Sequence, residues 1–294
     1  MENALKFKHA KSAKLQWTTI TAMIVFHTLA VWALFEFSWS NLLAGFITWW
    51  IAASWGVGLG FHRLLTHGGF KAPKWLEYFM TLCGTLALQA GAITWVATHR
   101  IHHKFTETEN DPHSPRGGTI WSHIGWILQG DAQIKDEATL KRYAPDLMKD
   151  KVHVFMNNYY WVTPIIAAVI LFAIGGFPMV LWGIFLRTTL AWHFTWLVNS
   201  ATHLWGTRRF ETNDDSRNNG LVAAVTFGEG WHNNHHAHPR SAKHGLAWYE
   251  FDINWVQLVA IQKLGLVKKV YAYKLKEEVE KVDGIQVEPL SEPA

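Results

Sequence analysis

The chain has 294 residues, enough for one large domain or two small ones. Its only cysteine, Cys83, excludes an intrachain disulfide and any thiolate-built metal site, and a formal charge of +4 is too mild to call for a nucleic-acid partner. Hydrophobic residues make up 49%, yet mean hydropathy is only +0.01, so apolar spans are expected beside a polar part of similar size.

Lys6, Lys8, Lys11 and Lys14 precede the first apolar run and read as an orientation signal. That run, Trp17 to Phe35, would reach about 30 Å as a helix. It is too long for a signal-peptide core and no small-residue cleavage site follows, so no cleaved signal is expected. Further spans are expected over 42–61, 159–177 and 179–198. The connections EFSWSN and GGFP hold no Lys or Arg, whereas the other long segments hold nearly all of them. The expected fold is therefore an all-α integral membrane protein with four transmembrane helices in two hairpins. Both termini and the polar mass lie on the cytoplasmic side. A single domain over 1–294 carries a cytoplasmic helical cap, 62–158 and 199–270, and ends in a charged stretch, 271–294, read as a helix running into a disordered tail.

A fifth apolar run, Leu76 to Ala97, is long enough to cross. If it crossed, the histidines before and after it would lie on opposite membrane faces. It is expected instead to stay buried at the interface or against the bundle.

Nine histidines then stand in four clusters, each just past an apolar run: His62 and His67 in HRLLTH; His99, His102 and His103 in HRIHH; His203 closing NSATH; His232, His235 and His236 in HNNHH. Neutral imidazole is the commonest protein ligand for a transition metal. HRIHH and HNNHH have i, i+3, i+4 spacing, which puts three rings on one helix face. A tetrahedral site uses about four ligands, so nine suit two ions, in a histidine-ligated dinuclear metal site at the membrane surface. Imidazole alone does not choose among zinc, copper, iron and nickel. Arg63 and Arg100 cannot ligate and should pair with carboxylates such as Glu229, Asp111 or Glu107. Among the other imidazoles, His9, His153 and His244 read as surface residues. His27 should be hydrogen-bonded inside the bundle, His193 and Arg187 should be structural, and His113, His123 and His238 could support the ligands. A membrane metal carrier would need an ionisable path through the bundle, and only His27, Arg187 and His193 are available for one.

HRLLTH, HRIHHKFTETENDPHSPRGG, NSATHLWG and GEGWHNNHHAHPRSAKHG resemble the integral-membrane fatty acyl desaturases, specifically the group acting on carbon 9, over about residues 40–270. The resemblance implies O2-dependent introduction of a cis double bond into a saturated acyl chain, two iron ions, and electrons from a separate donor of ferredoxin or cytochrome b5 type. It maps the iron ligands onto the nine clustered histidines, with Asn199 acting through water. It maps the bend of the acyl tunnel onto Gln89, Trp95, Thr195 and Trp196, with the closed end expected from the first two spans. The same histidine boxes occur in di-iron alkyl and sterol hydroxylases, the alternative reading. One departure bears on the substrate. Animal acyl-CoA members have Arg-Asp before the second box and Arg-Lys after a His-x-Gly-Trp element; here those places hold Ala97 and Thr98, and Gly130 and Asp131. Phosphate recognition prefers Arg and Lys, so an acyl chain on a membrane lipid is expected over acyl-CoA.

Overall fold

The computed structural model describes residues 14–129 and 136–275, and the backbone of 287–289. His9, Lys6, Lys8, Lys11, Gly130 and Asp131 lie outside the described residues. The protein is mostly helical. Helix α1 (Trp17–Ala33) is followed by α2 (Trp39–Thr66), which Ser38 caps by accepting from the backbone N–H of Asn41. Among the described residues, α2 and the stretch Val162–Leu204 are the two helices long and apolar enough to cross a membrane by length and composition; α1 is apolar but has 17 residues. Val162–Leu204 is not straight. Within Val162–Val180 (α8), Gly176 takes φ 68, ψ −166, and Pro178 follows. The chain reverses there, so that Leu171 packs against Met179, Val180 and Ile184. It continues through Leu181–Leu186 and Arg187–Leu204 (together α9). The reversal falls at GGFP.

The run Leu76–Ala97 also folds back. It forms α3 (Lys74–Thr85) and α4 (Ala92–Phe105), joined by a tip over 86–91. α3 lies directly on α2: a Cβ on Gly56 would collide with the backbone of Gly84, so the close approach requires glycine. Because the run turns back, α4 returns its histidines to the end of α2, with the His62 and His99 ring centroids 4.6 Å apart. The cap adds α5 (Trp121–Gly125 running into Trp126–Leu128), α6 (Glu137–Tyr143), α7 (Lys151–Asn158), α10 (Gly220–Val225), α11 (His232–Ala237) and α12 (Ile253–Lys263).

The fold is not purely helical. A small sheet joins β1 (Phe70–Lys71) to β2 (Lys269–Ala272), antiparallel with Phe70 opposite Val270, and β2 to β3 (Val287–Pro289), parallel with Val270 opposite Val287. The start of the expected charged tail is thus strand, and Val270, Tyr271 and Tyr273 are buried. β-branched and aromatic residues suit a half-buried pleat better than a solvated helix.

Candidate metal centre and the adjoining cavity

The nine clustered histidines converge as five and four. The ligand nitrogens of His62, His67, His99, His103 and His235 lie within 4.8 Å of one another, and so do those of His102, His203, His232 and His236. Local winding explains each contribution. In α4, positions 99 and 103 share one face and 102 the next, so one helix serves both groups. HRLLTH needs another device, because five residues in an α-helix turn side chains about 140° apart. Trp50–Thr66 winds in wide π-turns instead, and the His67 N–H reaches the His62 carbonyl at 3.2 Å. That i→i+5 bond brings the two imidazoles to one side, edge to face with centroids 4.8 Å apart.

The Nε2 atoms meet: His62 with His235 at 3.1 Å, His235 with His103 at 3.0 Å, His103 with His99 at 3.2 Å, and His232 with His203 at 3.1 Å. Carboxylates hold the opposite nitrogens. His62 Nδ1 is 2.6 Å from Glu229, His102 Nδ1 3.0 Å from Asp111, His203 Nδ1 2.9 Å from Glu107 and His236 Nδ1 2.7 Å from Asp214. A carboxylate accepting from one ring nitrogen leaves the other as a lone pair, which is how ligating imidazoles are oriented. The Nε2 atoms of His67 and His236 are buried without a hydrogen-bond partner. Burial, then the neighbouring imidazoles, holds His67, His99, His103, His232 and His235 well below the ordinary histidine range. Burial alone would raise Glu229 and Asp111. Arg63 with His244 and His62 pulls Glu229 well below the carboxylate range, and His102 with His113 does the same to Asp111. Imidazole nitrogens facing one another, with carboxylates behind the opposite ring nitrogens, fit a metal site.

Arg63 is the hub behind this site. Fully buried, it donates to Glu229 Oε1 from Nε (3.0 Å) and Nη2 (2.9 Å), and from Nη1 to Asp252 (3.0 Å) and the Ala242 carbonyl (2.7 Å). Arg100, by contrast, pairs with Asp146 at 2.8 Å rather than with Asp111 or Glu107, which His102 and His203 engage. His153 and His244, expected at the surface, are 0% and 1% exposed. His153 Nε2 lies 2.8 Å from Glu77, inside a Lys74–Glu77–Asp150 network that ties α3 to α7. His244 Nδ1 lies 3.2 Å from Glu229, its ring 4.5 Å from that of His235. Sequence reasoning missed Asp214 and His244; a carboxylate near each histidine cluster was the available signal. His113 stacks near His102 at 4.3 Å, as a supporting residue would, whereas His238 stacks on Tyr273 at 3.5 Å. His27, His193, His123 and Ser200 form a separate line of hydrogen bonds, at 3.0, 3.0 and 3.1 Å, joining α1, α9 and α5. His27 Nδ1 donates to the Met23 carbonyl at 2.6 Å, inside the bundle as expected.

A cavity of about 450 Å³ adjoins the histidines. Its wall includes Gln16, Thr18 and Tyr160, the candidate site residues His99 and Asn199, and Phe26, Leu88 and Trp192. Gln89, Trp95, Thr195 and Trp196 all line it. Gln89 donates to Thr195 Oγ1 at 2.9 Å and accepts from Trp95 Nε1 at 3.1 Å, which locks three of the four together. No residue of α2 lines the cavity, so the expected role of the second span in its closed end is not seen; α3 packs along α2 and occupies that side. Among the described residues, no Lys, Arg, Asp or Glu lines it either. Basic residues nearby are engaged elsewhere: Arg116 with Glu107 at 3.0 Å, Arg209 with Glu250 at 2.6 Å.

The family model for fatty acid desaturases matches residues 37–265. The sn-2 palmitoyl-lipid 9-desaturase of Nostoc sp. is 46% identical over 268 residues, covering 91% of this chain and 94% of that protein. The sn-1 stearoyl-lipid 9-desaturase of Synechocystis sp. is 46% identical, covering 86% and 80%. The icosanoyl-CoA 5-desaturase of Limnanthes douglasii is 43% identical, covering 88% and 72%. These relatives' names thus include both lipid-linked and CoA-linked acyl chains.

Proposed function

This chain belongs to the fatty acid desaturase family, and on that premise we propose that it desaturates carbon 9 of an acyl chain esterified to a membrane lipid, at a pair of iron ions. It is an oxidoreductase that removes two hydrogens from adjacent methylenes. The observation that carries the reading is that one apolar cavity borders the metal centre, through His99 and Asn199, and also the locked Gln89–Thr195–Trp95 bend.

His62, His67, His99, His103 and His235 would hold one iron, and His102, His203, His232 and His236 the other, with Asn199 reaching it through water. When bound, the pair supplies O2 activation and abstraction of hydrogen from unactivated C–H bonds. The chain's own residues do the rest. The carboxylates orient the imidazoles, each accepting from one ring nitrogen so that the other faces the metal pair. The bend holds two methylenes beside His99, so that position along the chain is set by shape. The apolar lining excludes water around the reacting carbons. A separate one-electron carrier, of ferredoxin or cytochrome b5 type, completes the reaction with O2.

We infer four spans, α1, α2 and the two arms of 162–204, with the histidine end cytoplasmic. Two observations support this: outward apolar residues such as Val31, Trp32, Val169 and Phe172 are exposed, and the connections at 34–38 and Gly176 carry no Lys or Arg. The uncharged cavity lining supports a lipid-linked acyl chain over acyl-CoA, whose phosphates would need cations.

Expression in a host lacking its own unsaturated fatty acids, with double bonds located in the lipids, is expected to give one isomer at carbon 9. An added oxygen in place of a double bond would overturn the desaturase reading. Purified enzyme should turn over saturated phospholipid or glycolipid in vesicles; efficient turnover of stearoyl-CoA alone would overturn the lipid-linked reading. Chain length is a further expected result. Phe26 lies ten residues along α1 from Gln16, about 15 Å deeper, where its ring meets Trp192 at 5.0 Å. Ala22→Phe should shorten the accepted chain and Phe26→Ala lengthen it. Unchanged preference among saturated chains of different length would remove Phe26 from the tunnel end.

A further inference from the structure

The tip between α3 and α4 is unusual in three ways. The carbonyls of Cys83, Gly84 and Thr85 at the end of α3 accept from the N–H groups of Leu86, Ala87 and Leu88, whereas the next two carbonyls, of Leu86 and Ala87, take side-chain donors instead. Leu88 and Ala90 take φ 52 and φ 72, the left-handed region that side chains bearing a Cβ rarely adopt. Finally, Leu88, Gln89 and Ala90 are consecutive and all line the substrate cavity.

Something must hold so strained a tip, and α9 does. Arg187 Nη1 donates to the Leu86 carbonyl at 2.7 Å while its Nε donates to the Gly183 carbonyl at 2.8 Å. Trp192 Nε1 donates to the Ala87 carbonyl at 2.9 Å. Thr195, further along the same helix, accepts from Gln89. Arg187 is 3% exposed and has no carboxylate partner among the described residues. A cation at a helix C-terminus is favoured by the exposed carbonyl dipoles. The planar guanidinium bridges two carbonyls on two helices, which a single ammonium does not reproduce. Arg187 does not line the cavity.

We propose that Arg187 is a positioning residue for regiochemistry: it pins the 86–91 tip from behind, and so fixes where the Gln89 bend presents the acyl chain to the metal pair. The proposal rests on the desaturase reading above. The double bond's position then depends on a side chain that never touches substrate.

The test is product analysis of Arg187→Met and Arg187→Lys in cells lacking other desaturases, with metal content measured on the purified proteins. Wild type should yield one positional isomer. Arg187→Met should retain its metal, lose turnover by about 10- to 100-fold, and place part of its double bonds one or two carbons away. Arg187→Lys should lie between. A purely structural role lowers the amount of product without spreading its position. Metal-loaded Arg187→Met giving the single wild-type isomer overturns the proposal. If that variant does not fold, Arg187→Lys decides: a spread supports the proposal, and a single isomer at wild-type rate overturns it. Should wild type make one isomer at a carbon other than 9, the carbon-9 reading fails, while the Arg187 proposal is still judged by the spread.

Discussion

Replacing His236 by alanine is expected to abolish desaturation while leaving the helices folded. Its Nδ1 is held by Asp214 at 2.7 Å and its Nε2 is buried without a partner, so the free lone pair has no structural duty. Loss of a residue that merely supports a ligand typically costs 10- to 100-fold in metal affinity or activity, and loss of the ligand itself should exceed that. The fold should tolerate it, because the converging imidazoles do not stabilise one another without a metal. Metal analysis should give two irons in the wild type and fewer in the variant, with no unsaturated product. Wild-type protein containing one zinc and no iron, or a His236→Ala enzyme with full turnover, would falsify the two-iron centre.

Glu229→Ala should produce the largest loss of stability. Arg63 would keep Asp252 but lose two of its donated bonds, in a buried site, and Asn254 Nδ2 would lose its 2.7 Å acceptor. Breaking a buried ion pair from one side costs about 3–5 kcal/mol, a large share of the roughly 5–15 kcal/mol that holds a typical domain. Thermal unfolding in detergent should show the drop. Glu229→Gln separates two roles. Its amide oxygen can still accept from Arg63 and Asn254 and should recover part of the melting temperature, whereas iron affinity should stay low because His62 has lost its carboxylate. Glu229→Ala melting with the wild type and fully loaded with metal would show that the hub is dispensable.

The nine histidines were legible because ligand chemistry and helix-face spacing say the same thing, and the expectation that Leu76–Ala97 does not cross came from asking whether those histidines could meet; its break into two helices at 86–91 was not legible. GGFP was legible as a turn because Gly176 alone can supply the required φ. What stayed hidden came from interactions between distant segments. The π-winding that aligns His62 with His67 leaves no pattern at an α-helical period. His244 looks like any polar loop residue until Arg63 draws in Asp252 and the 242–244 backbone after it. Arg187 reads as an anomaly in an apolar run, since the carbonyl it serves lies 101 residues away. The β2 strand was masked by lysines flanking a short Val-Tyr-Ala-Tyr alternation.

The separation between His62 and His235, whose Nε2 atoms meet across 173 positions, sets a schedule for biogenesis. A ribosome adding about 5–20 residues per second takes roughly ten to thirty seconds to cover that distance. Throughout that interval the HRLLTH imidazoles already exist and their HNNHH partners do not. β2 comes later still, and only then does the Tyr271 N–H reach the Gly69 carbonyl, two residues beyond His67. A metal captured before then would meet an incomplete set of candidate donors.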